Sequence, residues 1–216
     1  MRGAFITLEG IDWTGKSTHF SLLEGHLRER GLPVLATREP GGTPLGRRIR
    51  EILLSGEGRQ EEPCPEAEAL LFAADRAEHV RKVILPGLRA GRVVLCDRFA
   101  DSSVAYQGYG AGLDPARVAA LNELATGGLK PDLTVLLDVE PDRGFRGEAA
   151  ASRGSREDRI EARGPEYRRR VREGYLALAR AEPARFAVVD ADRDLESVQS
   201  EVRALVEGFL ARLEQG

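Results

Sequence analysis

Gly10-Ile11-Asp12-Trp13-Thr14-Gly15-Lys16-Ser17 decides how the rest of the chain reads, because it follows the apolar run Ala4-Phe5-Ile6-Thr7-Leu8-Glu9 and precedes an amphipathic segment. A strand ends, a glycine-bounded loop turns and a helix begins. Backbone N–H groups and the positive end of a helix dipole therefore converge on one point. Such a loop cradles a polyphosphate: the stretch from Gly10 through Asp12, Trp13, Thr14 and Gly15 to Thr18 offers its amides, Lys16 reaches the terminal phosphates, and the Ser17 hydroxyl reaches Mg²⁺. Composition sharpens the match, since only three of the 32 basic residues are lysines (Lys16, Lys82 and Lys130). A glycine-rich turn with an exposed lysine explains the loop alone, but not the strand before it and the helix after it.

Working outward, Ser17 to Arg30 carries Phe20, Leu22, Leu23 and Leu27 at helical spacing and is stopped by Gly31-Leu32-Pro33. Pro33 to Thr37 is a short apolar strand, and a strand, helix, strand unit favours a parallel right-handed crossover. Arg38-Glu39-Pro40-Gly41-Gly42-Thr43 follows that strand's carboxyl end, the edge where open α/β sheets bind ligands. A plain turn explains its Pro and Gly but not the flanking Arg38 and Glu39. Thr43 caps a helix from Pro44 to about Ser55, with Leu45, Ile49, Ile52 and Leu53 expected inward. Pro65 opens a long helix that puts Phe72 and Arg76 on one face. A ring beside a forked donor suits a planar base, although a core phenylalanine and a solvated arginine explain the pair more simply.

Val93-Val94-Leu95-Cys96-Asp97 is an apolar strand closed by an acid, the shape that holds Mg²⁺ beside a phosphate loop. Thr134 to Asp138 has the same form. Asp97 is preferred because Arg98 follows it with a cation for a phosphate, which leaves Asp138 a structural role. Asp101 to Tyr106 reads as helix, Gly108 to Gly112 as a flexible loop, and Asp114-Pro115 opens a helix to about Ala125 closed by Gly127-Gly128. From about 142 to 163, Arg143, Arg146, Arg153, Arg156, Arg159 and Arg163 are interspersed with glycines and alanines. This is the composition of a mobile lid that brings positive charge over a transferring phosphoryl group. A solvated surface helix balanced by Glu148, Glu157, Asp158 and Glu161 stays open as the alternative. A helix from Glu166 to Arg180, a strand from Phe186 to Asp190 and a helix from Leu195 to Leu213 complete the chain. Five strands alternating with helices specify an α/β fold, a three-layer parallel sheet with helices on both faces, in a single domain spanning residues 1–216.

The net charge of −3 and pI near 5.8 argue against a nucleic-acid partner. Cys64 and Cys96 lack metal-ligand spacing and read as reduced cytosolic thiols. With no leader-like start and no apolar run of membrane-spanning length, a soluble, cytoplasmic protein without a membrane partner is expected. His19, His26 and His79 show no metal or triad spacing.

Leu8-Glu9-Gly10-Ile11-Asp12-x-x-Gly15-Lys16-Ser17-Thr18, Arg38 to Thr43, Asp97-Arg98-Phe99 and Ala105-Tyr106-Gln107-Gly108 together resemble bacterial thymidylate kinases. Asp158-Arg159-Ile160-Glu161 and Arg170-Val171-Arg172-x-x-Tyr175-Leu176 extend the resemblance over nearly the full length. It implies the P-loop kinase fold, with transfer of the γ-phosphoryl of ATP to dTMP in a Mg²⁺-dependent homodimer. It also implies roles for single residues. Lys16 and the loop amides serve ATP, while Ser17 and Asp97 serve the metal. Asp12 lies near the acceptor's sugar and phosphate, and Arg98 clamps that phosphate. Phe72 and Arg76 take the thymine, Ser103 meets the base edge, and Tyr106 crowds out a ribose 2′-OH. Glu39 and Gln107 fall in motifs on the acceptor side, and Arg50 matches an arginine near the acceptor phosphate. With no arginine between the loop glycines, the lid supplies the catalytic cation, for which Arg146 and Arg153 are chosen, with Arg159 behind them. Trp13 departs from the pattern, since relatives carry a glycine or a less bulky residue there; it strains the cradle if that position needs a positive φ, or else projects outward.

Three other readings compete. A kinase for another nucleoside monophosphate shares the fold and loop. A GTP-dependent switch needs N-K-x-D, and Leu129-Lys130-Pro131-Asp132 lacks the asparagine. A catalytically impaired ATP-binding paralogue is motivated by Trp13.

Overall fold

The computed structural model describes residues 3–54, 63–141 and 159–215. Five parallel strands, β1 (Ala4–Glu9), β2 (Val34–Arg38), β3 (Val93–Asp97), β4 (Leu133–Asp138) and β5 (Phe186–Asp190), form one sheet in the order β2-β3-β1-β4-β5. β1 is central, and all six of its residues are buried. Side chains alternate across a strand, so Ile6 and Leu8 face one layer while Phe5 faces the other. The first layer is closed by α1 (Lys16–Glu29), through Leu23 and Leu27, and by α8 (Leu195–Gln215), through Val198, Val202 and Val206. On the opposite face Phe5, Val94 and Cys96 meet Val80, Ile84 and Phe99. Beside them Leu136 meets Tyr167, Val171 and Tyr175 of α7 (Pro165–Ala181). The three layers expected from strand and helix alternation are present, with β3 inserted between β1 and β2.

Local chemistry sets the helix ends. The Gly46 N–H donates to Thr43 Oγ1 at 2.9 Å at the start of α2 (Pro44–Leu54). Asp114 accepts from the Ala116 N–H at 2.9 Å before α6 (Pro115–Thr126), which ends on Gly127 at φ 62°. The apolar stripe of α2 is wider than its packed face. Ile49 and Leu53 are buried, but Leu45 and Ile52, on the flank of the stripe, are 48% and 55% exposed, which corrects the inward assignment. The long helix from Pro65 runs as α3 (Pro65–His79), a π-helical turn over Val80–Ile84 and α4 (Leu85–Arg89); the widened turn lies just before Pro86, which has no N–H to give.

Gly108 to Gly110 is not a loop. Val104–Gly110 is a π-helical extension of α5 (Ala100–Ser103). Its glycine serves close approach: a Cβ on Gly110 would lie 2.7 Å from Val171 Cγ2 and 2.8 Å from Tyr167, while one on Gly174 would lie 2.8 Å from the Tyr109 ring. Reading small residues as mobility missed this, because a helix seam between α7 and Tyr106–Gly110 also demands them. Gly110→Ala is expected to lower unfolding free energy by about 1–3 kcal/mol through overpacking. By contrast Gly25→Ala, where an added Cβ meets nothing within 4 Å on α1, is expected to raise it by about 0.5–1 kcal/mol. Urea titration of both variants checks the contrast.

Candidate active site

The site forms at the carboxyl ends of β1 and β3, which the pairing of Leu8 with Asp97 brings level. Gly10, at φ 147°, leaves β1 so close to β4 that a Cβ would stand 2.5 Å from the Leu137 carbonyl oxygen. Trp13 adopts φ 72° and Gly15 φ 74°, so the position with the unusual tryptophan does require the left-handed region. Thr14 is buried, and the Thr18 and His19 N–H groups bond back to the Gly15 carbonyl at 2.9 and 3.1 Å as α1 begins. Ser17 and Thr18 are exposed at that helix start.

Lys16 Nζ donates to Asp97 Oδ1 at 2.6 Å. Burial and the nearby Arg98 guanidinium push the Lys16 ammonium below its ordinary range, against the pull of Asp97. Burial works against the Asp97 charge as well, but Lys16 and Arg98 outweigh it and hold that carboxyl low. Asp97 is therefore an ionised oxygen donor beside the Ser17 hydroxyl's helix, a donor set that fits a hard divalent cation. Asp138 instead takes both Arg172 Nε and Nη2, at 2.7 and 2.9 Å, the structural role expected of it.

Arg98 sits at φ 68°, its N–H bonded to the Leu8 carbonyl at 3.1 Å. Its guanidinium donates to the Gly10 carbonyl (3.0 Å), Ser102 Oγ (3.3 Å), Tyr175 OH (3.1 Å), Tyr106 OH (2.9 Å) and Asp12 Oδ1. The Tyr106 hydroxyl closes the group by donating to Asp12 Oδ2 at 2.8 Å. Beneath lies Glu9, fully buried, which accepts from the Phe99 N–H (2.7 Å), Ser102 Oγ (2.6 Å) and Tyr175 OH (2.8 Å). Burial, then Asp101, raise its carboxyl to about 7.

A cavity of about 400 Å³ opens between these groups and α3. Phe72 lines it half-buried, while Arg76 is 1% exposed, which rules out the solvated arginine. Arg76 donates from Nε to Glu39 Oε2 (2.9 Å), from Nη1 to Ser103 Oγ (3.1 Å) and Asn122 Oδ1 (2.6 Å), and from Nη2 to the Phe99 carbonyl (3.2 Å). Glu39 also meets His79 Nδ1 at 2.9 Å, and His79 Nε2 meets Thr37 Oγ1 at 2.6 Å. Gln107 Nε2 donates to Glu68 Oε1 at 2.9 Å. Glu68 is also clasped by Arg159 and Arg163; burial opposes its charge, but Arg163, Gln107 and Arg159 keep it low. Arg50 Nη1 reaches the Pro40 carbonyl at 3.1 Å on the cavity wall.

Asp12, Lys16, Ser17, Glu39, Arg50, Phe72, Arg76, Asp97, Arg98, Ser103, Tyr106 and Gln107 therefore converge, with Gly10, Trp13, Thr14, Gly15 and Thr18 in the loop beside them. Arg146 and Arg153 lie outside the described residues, as does the segment expected to form a lid up to residue 158. Sequence reading gave no role to Glu9, Ser102, Asn122, His79 or Tyr175. Glu9 and Tyr175 stood in the quoted motifs, whereas nothing in local spacing marks Ser102, Asn122 or His79. Five cations (Lys16, Arg38, Arg50, Arg76 and Arg98) face three carboxylates (Asp12, Glu39 and Asp97) around the cavity, a local excess of positive charge on a chain of net charge −3.

A parallel sheet with a phosphate loop at its switch point, an acid at the neighbouring strand end and an arginine-rich acceptor cavity defines a P-loop kinase. A family model for thymidylate kinase matches residues 8–202, and the chain belongs to the thymidylate kinase family. It is 47% identical to the thymidylate kinase of Geotalea uraniireducens over 99% of this chain and 100% of that one. Identity to the Pelotomaculum thermopropionicum thymidylate kinase is 51%, over 97% and 95% of the two chains. The crystal structure of thymidylate kinase from Ehrlichia chaffeensis superposes with a TM-score of 0.73 at 34% identity, covering 95% of this chain and 99% of that one.

Because the folded-state pKa of Glu9 is raised, its contribution to stability is full below pH 4.5 and is lost as pH rises through about 7. Unfolding free energy measured from pH 4 to 8 is expected to fall, with Asp75, raised by burial and Glu39 to about 6, contributing in the lower part of the range. Glu9→Gln is expected to remove the part that belongs to Glu9, with the amide oxygen still on the Phe99 N–H.

Proposed function

We propose that this chain phosphorylates dTMP to dTDP with Mg-ATP. The observation that carries the proposal is the span of one cavity: Lys16 and Asp97 stand at the phosphate-loop end, Phe72 and Arg76 at the base end, and Arg98 between them. ATP phosphates lie on the amides of the Gly10–Thr18 loop with Lys16 at their terminus, and the thymine lies on the Phe72 ring within reach of Arg76. Tyr106, fixed by Asp12 and Arg98, walls the sugar, where it excludes a 2′-OH. Ser17 and Asp97 would hold Mg²⁺, which supplies neutralisation of phosphate charge. A phosphate oxygen of dTMP attacks the γ-phosphorus in line, the bond to the β–γ bridging oxygen breaks, and ADP departs. Lys16 and Arg98 neutralise the oxygens between donor and acceptor, joined by Arg146 and Arg153 from a lid at about 142–163. The acceptor phosphate is already ionised near pH 7, so no general base is required.

The impaired-paralogue reading keeps its motive, because Trp13 adopts the left-handed conformation in which its bulk strains the phosphate loop, although it does not line the acceptor cavity. Coupled ADP release from Mg-ATP with dTMP, dUMP, dGMP and thymidine's ribonucleotide is the test. Turnover on dTMP is expected to exceed dUMP by about tenfold, the worth of one methyl group. Lys16→Ala and Arg98→Ala are expected to lose about 10²–10³-fold in kcat. Equal rates on purine monophosphates would assign another acceptor, and ATP binding without turnover would assign the impaired reading.

A single domain acting as a homodimer in the cytoplasm completes the proposal, without nucleic-acid or membrane partners. No helix among the described residues is long and apolar enough to cross a membrane. α2, α3 and α6 pack in sequence, and they leave Leu45, Ile52, Leu70 and Leu124 exposed. Sedimentation is expected to give a dimer for the parent chain and a monomer for Ile52→Glu/Leu70→Glu.

A further inference from the structure

We propose that His79, which touches no substrate in the mechanism above, is a positioning residue that aims the Arg76 guanidinium at the acceptor base by fixing Glu39. The inference rests on the reading of this cavity as the dTMP site.

Among the described residues, the hydrogen bonds of Arg76 use four of its five N–H groups and leave one on Nη2 for the cavity it lines. The aim of that last donor depends on the plane of the guanidinium. Ser103, Asn122 and the Phe99 carbonyl fix the Nη end, and Glu39 alone fixes Nε. Glu39 follows β2 in the Arg38–Thr43 loop and has no helix to hold it. Its second oxygen is held by His79 Nδ1, and the His79 ring is pinned at its other end by Thr37 Oγ1. A chain of side chains thus runs from Thr37 through His79 and Glu39 to Arg76, with His79, Glu39 and Arg76 each buried.

Steric evidence independent of these bonds points the same way. A Cβ on Gly42 would lie 2.5 Å from both Cδ2 and Nε2 of His79, so the loop rests directly on the ring. One helical turn back, Asp75 Oδ1 accepts from the Gly41 N–H at 3.1 Å, and a Cβ on Gly46 would lie 2.1 Å from that oxygen. Gly42 and Gly46 of Glu39-Pro40-Gly41-Gly42-Thr43-Pro44-Leu45-Gly46 are therefore clearances for α3. They let Asp75 and His79 grip the loop that carries Glu39.

An asparagine amide reproduces the position of an imidazole Nδ1, and a glutamine amide that of Nε2. His79→Asn accordingly keeps the bond to Glu39, whereas His79→Gln keeps the bond to Thr37 and loses Glu39. The KM for dTMP is expected to rise about tenfold in His79→Gln, the worth of one charge-assisted hydrogen bond, and to stay near the parent value in His79→Asn. In both variants kcat and the KM for ATP remain close to those of the parent. Gly42→Ala, whose added methyl displaces the ring, is expected to reproduce the His79→Gln phenotype and serves if that variant does not fold. Calorimetric titration of the parent with dTMP separates the two levels: no binding there defeats the dTMP reading itself. If the parent binds dTMP but His79→Gln and His79→Asn shift KM equally, or kcat and both KM values change together, the positioning role is overturned.

Discussion

The structure turns on a cation mostly withdrawn from water. The Arg98 guanidinium, at the end of β3, makes five hydrogen bonds, to groups from the β1 end and its loop, α5, the π-helical turn and α7. A buried charge is tolerable only when paired and fully bonded. Asp12 supplies the pairing charge at contact. Ser102 and Tyr175, which bond both Arg98 and Glu9, link it to the second carboxylate one layer below. Four separate segments must be in place before the network closes, so the site and the packing of α7 on the sheet are one construction.

That interdependence explains what the chain disclosed before its structure was known and what it withheld. The phosphate loop was legible because its function is local: consecutive amides, a lysine and a hydroxyl at fixed spacing after an apolar strand. Asp97 and Arg98 were legible for the same reason, at the end of the next apolar strand to close on an acid. His79 and Asn122 were not, because their partners lie 40 and 46 residues away and no period connects them. Arg76 was half legible. Its place four residues after Phe72 suggested a shared face, but only the fold shows that the face is turned inward. Trp13 drew attention through a steric rule, and its φ of 72° answers the question that rule posed.

Glycine misled where it was taken to mean one thing. At Gly10 and Gly15 the backbone lies at positive φ, which only glycine enters without strain. At Gly42, Gly46, Gly110 and Gly174 no such φ occurs, and the residue is there because a neighbour occupies the space of a side chain. The second use has no local signature, since it depends on what packs from elsewhere. For that reason Gly108 to Gly112 read as a loop when most of it is the seam along α7.

Among the described residues two other than glycine sit in the left-handed region, Trp13 in the phosphate loop and Arg98 at the end of β3. Such conformations cost on the order of 1–3 kcal/mol each and persist only when the surroundings over-determine them. Arg98 is over-determined by its five side-chain bonds and by the Leu8 carbonyl on its N–H. Carboxylates pair with the site's cations: Asp97 with Lys16, Asp12 with Arg98 and Glu39 with Arg76. On the function proposed above, a phosphate entering between Lys16 and Arg98 would exchange one anionic partner for another without rearranging the cations. Their desolvation and their strained backbone are settled on folding rather than at the moment of reaction, which is the condition under which fixed charges stabilise a developing one most strongly.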